Sequence, residues 1–183
     1  DLGATGIGSW AYANGVNSVA LGTNAEASKI GSIAIGSQSN ADAERSTAIG
    51  VLANATGDYA IALGDGSNAT GVRSAALGPY ANAYGERSIA IGSSTQALGQ
   101  YATAIGLQSN AIGDNSTSLG AFSNATGTRT VAIGNSALTT ADYSVALGNL
   151  ANSSVANSVA IGSFARTTAA NATNITRSEE HTS

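Results

Sequence analysis

The side chains in this sequence that could do chemistry recur at a fixed spacing. Carboxylates stand at Glu44, Asp58, Glu86, Asp114 and Asp142, each separated from the next by fourteen residues or a multiple of fourteen. Paired carboxylates are the machinery of glycoside hydrolysis and other acid–base reactions. A catalytic pair has no reason to recur with such regularity, so we interpret these acids as parts of a repeated, solvent-facing turn.

The remaining reactive groups exclude several chemistries. The one histidine, His181, lies at the C-terminal end, the one lysine is Lys29, and there are no cysteines. A Ser–His–Asp arrangement, a phosphate-binding loop with its lysine and a thiolate zinc site are therefore not expected. The sequence predicts no enzyme, no cofactor and no metal site.

A second column of functional groups directly follows the acids. Arginine and tyrosine share this column, which Asn115 interrupts; its other members are Arg45, Tyr59, Arg73, Arg87, Tyr101, Arg129 and Tyr143. Stacked coils would place these side chains about 4.8 Å apart. The column predicts a turn ladder of cation–π contacts and salt bridges, and a ligand-facing stripe is the alternative.

The element that positions these columns is a short repeat. Each repeat ends in a turn glycine, and all intervals are fourteen residues: Gly8, Gly22, Gly36, Gly50, Gly64, Gly78, Gly92, Gly106, Gly120, Gly134, Gly148 and Gly162. Unbroken repetition at this period is typical of a solenoid in which each coil stacks on the one before. The sequence therefore predicts an all-β fold of about twelve coils, with two short strands and two turns in each coil.

Alternation of large and small residues before the closing glycine indicates one strand. We expect its branched residues to form the core against Ala and Ser of the second strand, since large against small fills a narrow space. The predicted structural core includes Ile35, Ile49, Leu63, Leu77, Ile91, Ile105, Ile133, Leu147 and Ile161. The small face would then point outward as a subunit interface, through Ala34, Ala48, Ala62, Ala76, Ala90 and Ala104. The opposite assignment, with the branched face at the interface, stays open.

Aromatic residues at the first turn are candidates for ligand contact. Four of them stand two residues after a closing glycine: Trp10, Tyr80, Phe122 and Phe164. Outward apolar groups on a rod can anchor a protein partner, and scattered surface residues are the alternative.

The segments "NSVALGTNAEA", "GSIAIGSQSNA" and "NSVAIGSFA" resemble the YadA-like head repeat of trimeric autotransporter adhesins. The resemblance implies a left-handed parallel β-roll that assembles as a parallel homotrimer. It also implies a location at the bacterial cell surface, on a fibre anchored in the outer membrane. Its implied partners are host extracellular-matrix or cell-surface proteins and like molecules on other bacteria. No ligand-binding residue of the family transfers to a position in this sequence.

The resemblance also divides the chain. Residues 1–170 are expected to be head repeats, and 171–176 the end of the array or the start of a neck. The signal, stalk and anchor of the family are not recognisable, so we expect a fragment. The final "RSEEHTS", residues 177–183, is typical of a translated sequencing adapter, and a genuine neck is the alternative.

Composition narrows the class of partner. The formal net charge is −4 and the seven basic residues are scattered, so no nucleic-acid surface is expected. No apolar run is long enough to span a membrane, and we expect no membrane contact by this segment. Hexapeptide acyltransferases, calcium-binding β-rolls and ice-binding solenoids have other repeats. Two functions remain: an adhesive head, or a passive spacer with a role in self-association.

Overall fold

The computed structural model describes residues 3–168 and 173–175. In these residues the chain forms parallel strands joined by tight turns, with no helix, and coils into a β-solenoid of about eleven turns. The predicted tail at 177–183, which includes His181, lies outside the described residues. Residues 171, 172 and 176 of the predicted end of the array also lie outside them.

Each coil contributes a three-residue strand to the first sheet. The strands stack in chain order: Thr5–Ile7, Val19–Leu21, Ile33–Ile35, Thr47–Ile49, Ile61–Leu63, Ala75–Leu77, Ile89–Ile91, Thr103–Ile105, Thr117–Leu119, Val131–Ile133, Val145–Leu147, Val159–Ile161 and Thr173–Ile175. β-Branched residues suit this half-exposed, pleated surface.

A two-residue strand from each coil builds the second sheet. Its strands are Tyr12–Ala13, Glu26–Ala27, Asn40–Ala41, Asn54–Ala55, Asn68–Ala69, Asn82–Ala83, Gln96–Ala97, Asn110–Ala111, Asn124–Ala125, Leu138–Thr139 and Asn152–Ser153. A first turn follows each closing glycine and leads into the second sheet, and a second turn leads back to the first sheet.

The hydrogen bonds between coils continue through the turns. Strand pairing advances by one repeat, as in Val19 opposite Ile33. At the turns, the amide of Leu52 donates to the carbonyl of Ser37 at 3.0 Å, and the amide of Tyr59 donates to that of Glu44 at 2.8 Å. Both donors have positive φ angles, 58° and 60°, a conformation that non-glycine residues keep only where the surroundings impose it. The continuous ladder supplies that constraint.

The interior of the roll contains only small side chains. Each coil points four residues inward, and these are Ala, Ser or Thr at almost every position. Among the described residues, the largest fully buried side chains are threonines: Thr95, Thr130 and Thr139. Two strands of two and three residues, closed by two tight turns, hold the sheets too close together for a larger group to fit.

The predicted orientation of the first strand is therefore wrong. The residues assigned to the core lie on the outer face of the first sheet: Ile35, Ile49, Leu63, Leu77, Ile91, Ile105, Ile133, Leu147 and Ile161. Leu63 is 37% exposed and Leu147 is 41% exposed. The residues assigned to the subunit interface are 0% exposed and line the interior: Ala34, Ala48, Ala62, Ala76, Ala90 and Ala104. The physical reason is the width of the coil, which admits small residues from both strands and branched residues from neither.

The closing glycines are required by two independent constraints. Each of the twelve closing glycines has a φ angle between 120° and 140°, where side-chain-bearing residues are strained. At Gly64, an added Cβ would lie 2.6 Å from the carbonyl carbon and oxygen of Gly78 in the next coil. The glycine column therefore permits the close stacking of backbones that forms the solenoid.

Candidate ligand-binding surface

The roll offers three kinds of outer surface to a partner. The outer side of the first sheet is the branched face, formed by the Val/Ile/Thr and Ile/Leu columns that end each repeat. The outer side of the second sheet is the amide face, formed by the column from Asn40 to Asn152 and the residues beside it. The first and second turns connect these two faces along the edges of the roll.

Three aspartates of the acidic column at the second turn bind the main chain of the preceding coil. The carboxylate Oδ1 of Asp58 accepts a hydrogen bond from the amide of Glu44 at 3.1 Å. Asp114 accepts from the amide of Gln100 at 2.9 Å, and Asp142 from that of Thr128 at 2.8 Å. A carboxylate that caps a stacked turn stabilises the register between coils, which agrees with the interpretation of these acids as turn residues.

The arginine–tyrosine column forms stacked contacts along the same turn. The guanidinium carbons of Arg45 and Arg73 lie 5.4 and 5.7 Å from the ring centroid of Tyr59, one on each side. Arg45 Nη1 also donates to the Tyr59 hydroxyl at 2.8 Å. The contacts recur between Arg87 and Tyr101 and between Arg129 and Tyr143, at 5.5 and 5.6 Å.

The ion pairs beside this ladder are weak. Arg45 lies 3.8 Å from Glu44, and Arg87 lies 3.8 Å from Glu86, with all four side chains well exposed. Exposed pairs of this kind contribute between zero and about 1 kcal/mol. The cation–π and hydroxyl contacts account for more of the order along this turn than the ion pairs do.

The four aromatic candidates lie at the first turn and point into solvent. Trp10, Tyr80, Phe122 and Phe164 have φ angles of 56° to 60° and are 49% to 69% exposed. Three of them, Tyr80, Phe122 and Phe164, recur at every third coil, about 14.4 Å apart at the spacing of parallel strands. The structure thus places these rings in a line along one edge of the roll and does not bring them into one cluster.

The amide face contains a ladder that the sequence analysis did not identify. Asn40 Nδ2 donates to Asn54 Oδ1 at 3.0 Å, and Asn54 Nδ2 donates to Asn68 Oδ1 at 3.0 Å. Asn68 Nδ2 then donates to the hydroxyl of Tyr84 at 3.0 Å. The recurrence of asparagine at one repeat position was the available signal, since identical carboxamides one strand apart can pair.

Two grooves open between the first turn and the amide face. The first has a volume of about 350 Å³ and is lined by Ser94, Gln96, Gln108, Asn110, Phe122 and Asn124. The second has a volume of about 300 Å³ and is lined by Ser136, Leu138, Leu150, Ala151, Asn152, Phe164 and Arg166. Each groove ends at one of the predicted ligand-facing phenylalanines.

Residues 3–168 and 173–175 contain no group of three or more His, Cys, Asp or Glu side chains arranged to hold a metal ion. No helix within those residues is long and apolar enough to cross a membrane.

These features define a β-solenoid repeat protein with an interior of small residues and a continuous branched outer face. The chain matches the family model described as "YadA head domain repeat (2 copies)" at residues 2–25, 27–53, 43–67, 69–95, 97–123, 125–151 and 156–173. It therefore belongs to the YadA head domain repeat family, as the resemblance of its motifs predicted.

One solved structure with which the chain shows similarity is that of the collagen-binding domain of the Yersinia adhesin YadA. The two are 25% identical, the match covers 93% of this chain and 72% of that chain, and the TM-score is 0.33. None of the curated proteins compared with the chain matches it.

Proposed function

We propose that this chain is the head of a bacterial surface adhesin, that it has no enzymatic activity, and that it acts as a parallel homotrimer of left-handed β-rolls. Membership of the YadA head family supports the adhesive function. In this proposal the head stands at the cell surface on a fibre anchored in the outer membrane. It binds host extracellular-matrix or cell-surface proteins, and like molecules on other bacteria.

The exposure of the branched face is the main observation that supports the proposed assembly. Ile61, Leu63, Ile89 and Ile91 are 36% to 41% exposed, and the same two columns continue along the first sheet from Thr5–Ile7 to Val159–Ile161. Twelve stacked strands give this apolar stripe a length of about 53 Å. Soluble monomers rarely expose a contiguous apolar surface of that extent, and such a surface marks an interface.

The geometry also supports a parallel arrangement of identical chains. The stripe runs the length of the roll with nearly the same composition in every coil, so a copy in the same orientation meets matching side chains at each level. Cyclic symmetry closes such an interface without leaving an apolar edge in water. The number of three chains is proposed from the family.

A passive spacer is the second candidate function, and the second turn favours it. The aspartates of the acidic column and the arginine–tyrosine column are engaged in contacts between coils, which is the expected state of groups that hold a rod together. A spacer would use the branched face for assembly and would bind no host molecule.

Two measurements on the full chain test the proposal. Light scattering after gel filtration is expected to give three times the mass of one 17.8 kDa chain. Biolayer interferometry over immobilised collagen and over whole extracellular matrix then separates the two functions. Saturable binding supports the adhesive head, a trimer without binding supports the spacer, and a stable monomer contradicts both.

A further inference from the structure

The first groove lies across three consecutive coils and has an uncharged lining. Three of its six lining residues are at the first turn and three are on the second sheet: Ser94, Gln108 and Phe122, then Gln96, Asn110 and Asn124. Four of the six side chains are carboxamides, one is a hydroxyl and one is an aromatic ring. A volume of about 350 Å³ lies within the range of small-ligand sites.

The carboxamides of this groove are not paired with one another as those of the ladder are. In the described part of the chain, the side-chain amides of Gln96, Gln108 and Asn124 make no hydrogen bond, and Asn124 Oδ1 is left without a partner. Asn110 Nδ2 reaches only the carbonyl of Gln108, at 3.4 Å. The pairing seen from Asn40 to Asn68 is absent here even between Asn110 and Asn124, which lie one coil apart.

The ring of Phe122 completes one end of the groove. It is 49% exposed, and its φ angle of 60° fixes the direction in which it leaves the turn. Two coils earlier, the small side chain of Ser94 replaces the aromatic and apolar groups found at many equivalent positions. The groove is therefore open at Ser94 and bounded by a flat apolar wall at Phe122, about 9.6 Å away along the stack of coils.

We propose that this groove binds a neutral saccharide unit of a glycan chain. A sugar hydroxyl is both donor and acceptor, and a carboxamide offers one group of each kind, so the free amides of Gln96 and Gln108 match it. The ring of Phe122 packs against the apolar C–H face of the sugar. The uncharged lining favours a neutral ligand, since a charged one would leave water without a compensating partner.

An extended peptide fits this groove less well. Peptides that add to a sheet need an unpaired strand edge and pockets for alternate side chains. Here the strand Asn110–Ala111 is already paired on both sides, with Gln96–Ala97 and Asn124–Ala125. The groove has one apolar wall and no apolar pocket for a side chain.

The second groove provides a comparison within the same molecule. It occupies the same columns three coils further along, and Ser136, Asn152 and Phe164 correspond to Ser94, Asn110 and Phe122. Leucines Leu138 and Leu150 take the places of the two glutamines, and Arg166 takes that of Asn124. The second groove has the same kind of ring but one carboxamide, Asn152, in place of four, and it is therefore expected not to bind sugar.

Saturation-transfer difference NMR on the full chain tests the proposal, with lactose, maltose, mannobiose and chitobiose as probes. At least one of these neutral disaccharides is expected to receive saturation. The signal should fall at least tenfold in Phe122→Ala and in Gln108→Ala, both surface changes. It should persist in the matched variant Phe164→Ala, which removes the ring of the second groove, and in Asn54→Ala, which changes an amide of the ladder.

Three results would overturn the proposal. They are the absence of transfer to every probe, transfer that survives Phe122→Ala, and loss of binding with Phe164→Ala instead. A neutral Gly/Pro-rich peptide that binds in place of the sugars and is lost with Phe122→Ala would assign the groove to peptide. Saccharide binding rests on the proposed adhesive function, and light scattering on the same samples distinguishes the failure of one from the failure of the other. A trimer that binds no sugar contradicts only the saccharide proposal. A monomer that binds sugar contradicts only the trimeric head.

Discussion

Three lysines on the branched face are expected to convert the proposed trimer into a folded monomer. In Ile49→Lys/Leu63→Lys/Ile91→Lys, each replaced side chain is 36% or 37% exposed in the single chain. Full burial of such a side chain stabilises by about 1.5–3 kcal/mol, so covering its exposed fraction in an interface contributes about 0.6–1.1 kcal/mol. Nine such side chains in a trimer contribute about 5–10 kcal/mol.

The lysines add a further penalty to this loss. Nine ammonium groups would face one another around the trimer axis, and each charge that leaves water without a partner costs several kcal/mol. The apolar term alone corresponds to a change of more than about a thousandfold in the association constant. We therefore expect a single monomeric species at micromolar concentration, measured by sedimentation equilibrium and by light scattering after gel filtration.

The matched control carries the same charge on the opposite sheet of the same coils. Asn40→Lys/Asn54→Lys/Asn82→Lys replaces half-exposed residues of the amide face and should leave the trimer intact. Circular dichroism should show β-structure in both triple variants, since none of the six positions belongs to the interior of small residues. A trimeric Ile49→Lys/Leu63→Lys/Ile91→Lys variant, or dissociation of the asparagine control, would refute the assignment of the branched face as the interface.

Three further changes test the packing of the roll itself. Ala62→Leu inserts a large group into the interior and should destabilise the chain by about 1–3 kcal/mol, measured as a lower thermal midpoint. Leu63→Ala should leave the stability of a monomeric form of the roll nearly unchanged. Equal effects of the two changes would contradict the observed orientation of the strand. Gly64→Ala drives a Cβ to 2.6 Å from the next coil and should prevent proper stacking, as judged by loss of soluble β-structure. Gly31→Ala places its Cβ near only a side-chain carbon, at 3.4 Å. It should lower stability by about 1–2 kcal/mol, which is the strain of its left-handed backbone. If both glycine variants behave alike, the close approach of neighbouring coils at Gly64 is not the reason for the glycine. Tyr59→Ala removes the ring between two arginines. It should lower stability by about 1–2 kcal/mol in urea titrations, because two exposed cation–π contacts are lost. An unchanged midpoint would show that the arginine–tyrosine ladder contributes nothing to stability.

The carboxamides of the amide face are paired along one part of the roll and unpaired along another. From Asn40 to Asn68 the carboxamides pair with one another. From Gln96 to Asn124 they do not pair with one another, and they lie beside an open groove. A surface built from repeats can in this way acquire a specific site through changes in a few outward side chains, without any change in the fold.

The period, the parallel stacking, the glycine turns and the stacked arginine–tyrosine column were all predictable from the sequence, because each depends on relations between residues one repeat apart. In a solenoid, residues one repeat apart occupy equivalent positions in neighbouring coils, so their spacing in the sequence is enough to predict that they stack. The direction in which the first strand faces was not predictable in this way: alternation separates Ala62 from Leu63 but does not say which of them points inward. Only the tertiary structure decided that, because the distance between the two sheets depends on both turns and both strands together, and it leaves room for Ala, Ser and Thr alone. The same distance turned the branched columns outward, where they form the apolar surface from which the assembly is inferred.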